Sequence, residues 1–144
     1  MAVGSCFAGN WTVLFVDMKD AVEAIYRNDL LTLYLYMESE YDGFDRITDS
    51  KKNTLLHHAA ESGYFDMVDV LLLEGANPNV HNVFGETPLH VAEKKGFEDA
   101  VLRILQSPKT FIWMTEIYDE YLLRRLQRNP KYKSIIERRM EEAY

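Results

Sequence analysis

The sequence has 144 residues and a mass of 16.8 kDa, with 16 Lys and Arg against 23 Asp and Glu, a formal charge of -7. That length suits one domain, the 47% hydrophobic content excludes a disordered chain, and a single cysteine excludes an internal disulfide. The acidic balance excludes a general nucleic-acid binder, which needs a basic surface.

The charge is unevenly placed. Residues 1–108 hold 8 basic and 17 acidic side chains, whereas 109–144 hold 8 and 6. The chain therefore reads as an acidic body with a mildly basic tail.

Residues 1–16 are small and apolar and end in Trp11-Thr12-Val13-Leu14-Phe15-Val16. A secretory signal needs a basic region ahead of its apolar run, and the first lysine, Lys19, follows it. The run is also shorter than the ~20 residues that cross a bilayer. Ala2 stands where N-myristoylation needs glycine, and the sequon Asn10-Trp11-Thr12 has no secretory route to use it. We expect an apolar flap over one end of the core, in a soluble cytoplasmic protein.

Residues 17–48 carry a helical pattern with Ala24-Ile25-Tyr26-Arg27-Asn28 followed by Leu33, Tyr36 and Met37. A long acidic stretch comes next. Residues 17–49 together hold 3 basic and 9 acidic side chains, and Tyr41 and Phe44 sit among Glu38, Glu40, Asp42, Asp45 and Asp49.

From Asp49 onward the chain repeats itself. Thr54-Leu55-Leu56-His57-His58-Ala59-Ala60-Glu61-Ser62-Gly63 lies over Thr87-Pro88-Leu89-His90-Val91-Ala92-Glu93-Lys94-Lys95-Gly96 at an offset of 33. The same offset superposes Val68 on Val101, Leu71 on Ile104 and Leu72 on Leu105. Each threonine can cap a helix, Pro88 fits a first helical turn, and each glycine suits the left-handed position that ends one. Leu56, Ala59 and Ala60 offer a small apolar face for close helix packing.

A period of 33 residues with Thr-Pro-Leu-His-x-Ala resembles the ankyrin repeat, and Gly75-Ala76-Asn77-Pro78-Asn79 matches that family's turn between repeats. The resemblance is clear over Asp49 to Gln106. It implies an all-α solenoid of about four helix pairs joined by short finger loops. It divides the single domain into an N-terminal flank at 1–16, a capping repeat at 17–48, repeats at 49–81 and 82–108, and a divergent helical cap at 109–144. Asn28 then takes the glycine slot of the first unit, and the first finger, Glu40 to Asp49, is two residues longer than the second. The resemblance also implies that His57 and His90 hydrogen-bond backbone and fix the fingers.

In the tail, the finger motif is gone and Arg125 replaces the small Ala92. Asn129-Pro130 reads as a fresh N-cap and first helical residue. Helices are expected near 111–128 and 131–142.

No nucleophile elbow, phosphate loop, zinc-protease helix or Cys-x-x-Cys occurs, so no enzyme activity, cofactor or metal is expected. Function must be read from surfaces. The resemblance implies partner binding on a concave face built from finger tips and the first helix of each pair. By position that face offers Ser50, Lys51, Asn53, Glu61 and Ser62 from one repeat. The next repeat supplies His81, Val83, Phe84, Glu86, Lys94 and Lys95. An aromatic at a finger tip gains little by folding, so Phe84 is the leading anchor.

The acidic first finger, with Glu40, Tyr41, Asp42, Phe44 and Asp45, is the second surface and would suit a basic partner. The expected function is a protein-binding module that works by surface occupancy: a monomeric adaptor or inhibitor, an immunity-type inhibitor included, with no small-molecule substrate. The alternative is a peripheral binder of nucleic acid or anionic membrane through Arg124, Arg125, Arg128, Lys131, Lys133, Arg138 and Arg139.

Overall fold

The computed structural model describes residues 17–39, 44, 47–110 and 120–142. The apolar flank at 1–16 and most of the first finger, Glu40, Tyr41, Asp42 and Asp45 among it, lie outside the described residues.

Eight helices are present among the described residues: α1 Met18–Tyr26, α2 Leu30–Ser39, α3 Leu55–Ser62, α4 Phe65–Leu73, α5 Pro88–Lys95, α6 Glu98–Gln106, α7 Glu120–Gln127 and α8 Pro130–Glu142. They form sequential pairs. Within the stack α1, α3 and α5 lie side by side in one row, while α4, α6 and α8 pack in the other. The result is the all-helical solenoid expected from the repeat.

Local chemistry sets the ends of these helices. Asp17 accepts the Asp20 amide at 2.9 Å while the Asp20 carboxylate accepts the Asp17 amide at 3.1 Å, a reciprocal cap for α1. Past its end, Asn28 has φ 58°, the left-handed region that the glycine slot demands. Its own amide donates back to the Ile25 carbonyl at 3.1 Å and the Asp29 amide to the Ala24 carbonyl at 2.8 Å, so asparagine does here what Gly63 and Gly96, both at φ 78°, do in the later repeats.

The core runs continuously through the stack. Ile25, Leu33 and Tyr36 of the first pair meet Leu56, Met67 and Leu71 of the second, then Leu89, Val101, Ile104 and Leu105 of the third. Leu122, Leu126 and Ile136 close the far end. Ala59 and Ala60 are fully buried, and the absence of longer side chains there lets neighbouring inner helices approach.

The C-terminal pair agrees with the Asn129-Pro130 signal: α8 begins at Pro130, and Asn129 Oδ1 accepts the Lys131 amide at 3.0 Å. The expected start of the preceding helix near 111 falls outside the described residues. Three basic side chains of this pair hold the cap to the stack. Lys131 reaches Glu98 at 2.6 Å and Arg125 reaches Glu93 at 2.8 Å, both across to the adjoining repeat. The Arg139 guanidinium donates to the carbonyls of Leu105, Pro108 and Thr110 at 2.9, 3.3 and 2.9 Å, tying α8 to the end of α6. Burial there pulls its pKa below the usual guanidinium range.

Candidate protein-binding surface

The surface is built on two finger turns with one design. In the first, Asp49 Oδ1 accepts the amides of Lys51 and Asn53, both at 2.9 Å. In the second, Asn82, 33 positions on, accepts the amides of Phe84 and Glu86 at 2.9 and 3.0 Å. A short acidic or amide side chain that bonds its own backbone two residues on is a standard turn former. The two turns are then joined, Val83 amide to Lys51 carbonyl at 2.9 Å and Asn82 Nδ2 to Asn53 Oδ1 at 3.0 Å.

His57 fixes the fingers to the helices. Its Nδ1 lies 3.1 Å from the Thr54 amide, which can only donate, so Nδ1 carries a lone pair. Nε2 is therefore the protonated nitrogen and donates to the Glu86 carbonyl at 2.8 Å. Burial pushes the imidazole below its usual 6.5, against the opposing pull of the Glu86 carbonyl. In the next repeat the Thr87 amide likewise donates to His90 Nδ1, at 3.1 Å. The backbone role implied for His57 by the repeat is what the geometry displays.

Between the fingers and the inner helices lies a groove of about 200 Å³. Lys51, Asn53, Asn82, Phe84 and Glu86 line it from the finger side; His57, Glu61, Val91, Lys94 and Lys95 line it from α3 and α5. Seven of the sequence-selected residues thus converge: Lys51, Asn53, Glu61, Phe84, Glu86, Lys94 and Lys95. Phe84 is 68% exposed and Val83 53%, on a turn whose amides are bonded.

The remaining selected residues divide. Ser50 and His81 are exposed on the fingers but do not line the groove. Ser62 is half-buried and engaged, its hydroxyl donating to the Ala59 carbonyl at 2.8 Å and accepting the Tyr64 amide at 3.2 Å. Phe44 is a correction. It was read as an aromatic presented by the first finger, but it is only 8% exposed and packs into the core, since an apolar ring beside an apolar core is more stable buried.

One network was not anticipated. His58 contacts Asp49 Oδ2 through Nε2 at 3.0 Å and Tyr26 Oη through Nδ1 at 3.2 Å. Tyr26 Oη donates to Glu61 Oε2 at 3.0 Å. Burial, and then Glu61, raise the Tyr26 pKa well above its usual 10, so the phenol stays protonated and serves as a donor, not as a nucleophile. The network joins the first helix pair to the second at the edge of the groove. Because it links side chains 32 and 35 positions apart, no local pattern signals it.

A family model of ankyrin repeats, in three copies, matches residues 20–115, two thirds of the sequence. The chain belongs to the ankyrin-repeat family. The match reaches beyond the two clear repeats into the N-terminal unit, whose inner helix α1 packs on α3 as α3 packs on α5. Ankyrin repeats are protein–protein interaction modules, and this ankyrin-repeat chain carries one.

Among known proteins, XBAT35 of Arabidopsis thaliana, which bears the name of an E3 ubiquitin-protein ligase, is 47% identical over 66 residues. That stretch covers 45% of the chain and 14% of the plant protein. Alpha-latrotoxin-Lg1a of Latrodectus geometricus is 34% identical over 84 residues, 57% of the chain and 6% of the toxin. The transient receptor potential cation channel subfamily A member 1 of Homo sapiens is 39% identical over 62 residues, 43% of the chain and 6% of the channel. The shared part is the repeat region, a small fraction of each relative. Among the described residues no helix is long and apolar enough to cross a membrane.

Proposed function

We propose that this ankyrin-repeat protein is an adaptor or inhibitor that acts by occupying a partner's surface, with the groove between the fingers and α3 and α5 as the contact. One observation carries the reading: a large aromatic, Phe84, is exposed on a hydrogen-bonded finger turn at the edge of that groove. A backbone held this way loses little further freedom on binding, and aromatics at the centre of a contact dominate interface energy. The acidic stretch of residues 17–49 lies N-terminal to the groove residues in sequence and is proposed as an additional contact for a basic patch on the same partner.

The test is affinity purification from the native cell with the wild-type chain and with Phe84→Ala, followed by calorimetry on each captured protein. Loss of a central aromatic costs about 2 kcal/mol or more, roughly thirtyfold in affinity. If Phe84→Ala and a charge-reversed groove both left every partner's affinity unchanged, the groove would not be the contact.

A further inference from the structure

The groove has a charge character opposite to that of the chain as a whole. Three lysines, Lys51, Lys94 and Lys95, border it in a protein of net charge -7. Their ammonium groups are poorly satisfied. Lys94 stands 3.5 Å from Glu86 and Lys95 3.7 Å from Glu61, at the long end of ion pairing, and the Lys51 ammonium has no side-chain partner among the described residues. Three cations that bridge adjoining repeats are held more closely: Lys131 at 2.6 Å from Glu98, Arg103 at 2.5 Å from Asp69, Arg125 at 2.8 Å from Glu93.

The two carboxylates at the groove do not balance this. Glu61 accepts the Tyr26 hydroxyl on Oε2 at 3.0 Å and faces Lys95 with Oε1 at 3.7 Å, so Glu61 and Glu86 together set two negative charges against three ammonium groups. His57 adds no charge of its own, because its Nδ1 accepts a backbone amide and burial lowers its pKa. The local surplus is one of ammonium donors seeking acceptors. Beside them stand the apolar faces of Phe84, exposed, and Val91, half-buried. The volume, about 200 Å³, is below the ~300 Å³ at which small-molecule pockets begin, and is nearer that of a single side chain.

We infer that the groove accepts an acidic segment of a partner protein, with carboxylates meeting Lys51, Lys94 and Lys95 and one apolar side chain seated against Phe84 and Val91. The inference rests on the groove being the partner contact and adds the chemistry of what lies in it. Carboxylates would supply the short hydrogen bonds that Glu61 and Glu86 leave unmade, and the apolar side chain would cover the ring that folding leaves in water. A bound acidic segment also runs against the chain's overall negative field, so selectivity has to come from this local patch.

The test is selection of a displayed random-peptide library on the full chain, with anisotropy measurements on synthetic copies of the winners. The expected result is peptides rich in Asp and Glu flanking a Leu or Phe, which bind less tightly as salt rises. Lys51→Glu combined with Lys95→Glu is expected to weaken them about tenfold or more, and Phe84→Ala likewise. Lys19→Glu, a single reversal at an exposed position of α1 that does not line the groove, is expected to change affinity less than twofold. Winners that are basic or neutral but still lose binding in Phe84→Ala would overturn the acidic segment while leaving the groove as the contact. Winners indifferent to both Phe84→Ala and the lysine reversals, or no selectable peptide at all, would overturn the two together.

Discussion

Replacing His57 with alanine removes a side chain that is 1% exposed and makes two backbone contacts of opposite sense. The Thr54 amide, on a residue only 2% exposed, loses its acceptor, and the Glu86 carbonyl loses its donor. A stranded buried donor costs about 1–3 kcal/mol, and the cavity left by the ring adds a term like that of other large-to-small core changes, about 2–5 kcal/mol in all. Partial collapse of the site relieves some of this, so the expected loss is on the order of 3–4 kcal/mol. Urea unfolding followed by circular dichroism measures it directly, provided the slope with denaturant is unchanged.

The same residue predicts a pH dependence. The native pKa lies below the unfolded value of 6.5, so below that pH the unfolded chain binds the proton first and acid favours unfolding. The stabilisation is complete above pH 6.5 and is lost as pH falls through the lower native value. The gap between wild type and His57→Ala is therefore expected to narrow on going from about pH 7 to about pH 5. A loss under about 1 kcal/mol at neutral pH, or a gap that stays constant with acid, would refute the assignment of His57 as a neutral, buried bridge.

Other positions test the frame around it. Gly63 sits at φ 78°, and a Cβ there would meet the Phe97 ring at 2.7 Å, so Gly63→Ala is expected to lower stability by about 2 kcal/mol in thermal melts. Lys52 holds φ 60° in the first finger at the slot that Gly85 fills in the second; Lys52→Gly relieves about 1–2 kcal/mol of strain against about 0.5–1 kcal/mol of added unfolded-state entropy, for a small net gain in urea midpoint. Arg139→Ala removes three hydrogen bonds to the end of α6 and is expected to cost about 2 kcal/mol and to speed amide exchange in α8 first, with Arg139→Lys restoring little because one ammonium cannot match the fork.

How much of this was readable from the residues depends on whether a feature repeats. The helix pairs, their glycine stops and the cap at Thr54 recur at a fixed offset, so each copy checks the other. Asn28 is legible in the same way, because it occupies a slot whose backbone requirement is known from Gly63 and Gly96. Side-chain partners across the stack are not legible. Nothing near Tyr26 in the chain marks it as the donor to Glu61, since that contact exists only once two helix pairs have docked.

Phe44 and Phe84 show where sequence reasoning can be sharpened. Both are aromatics in fingers, and both were read as presented to a partner, yet one is 8% and the other 68% exposed. Treating a finger as uniform loop hides the difference. Counted from the turn-forming residue of each finger, Phe44 precedes Asp49 by five positions and corresponds to Asn77, next to the buried Ala76. Phe84 follows Asn82 by two, inside the turn and opposite Lys51 in the neighbouring copy. The first position lies where the chain leaves the core and an apolar ring can still reach it. The second lies where the backbone amides are committed to the turn and the side chain has only solvent, or a partner, to face. Register alone does not decide the outcome, since Asn77 in the slot of Phe44 is exposed; it is the apolar ring of Phe44 that takes the chance to turn inward, a chance the turn at Asn82 does not offer Phe84.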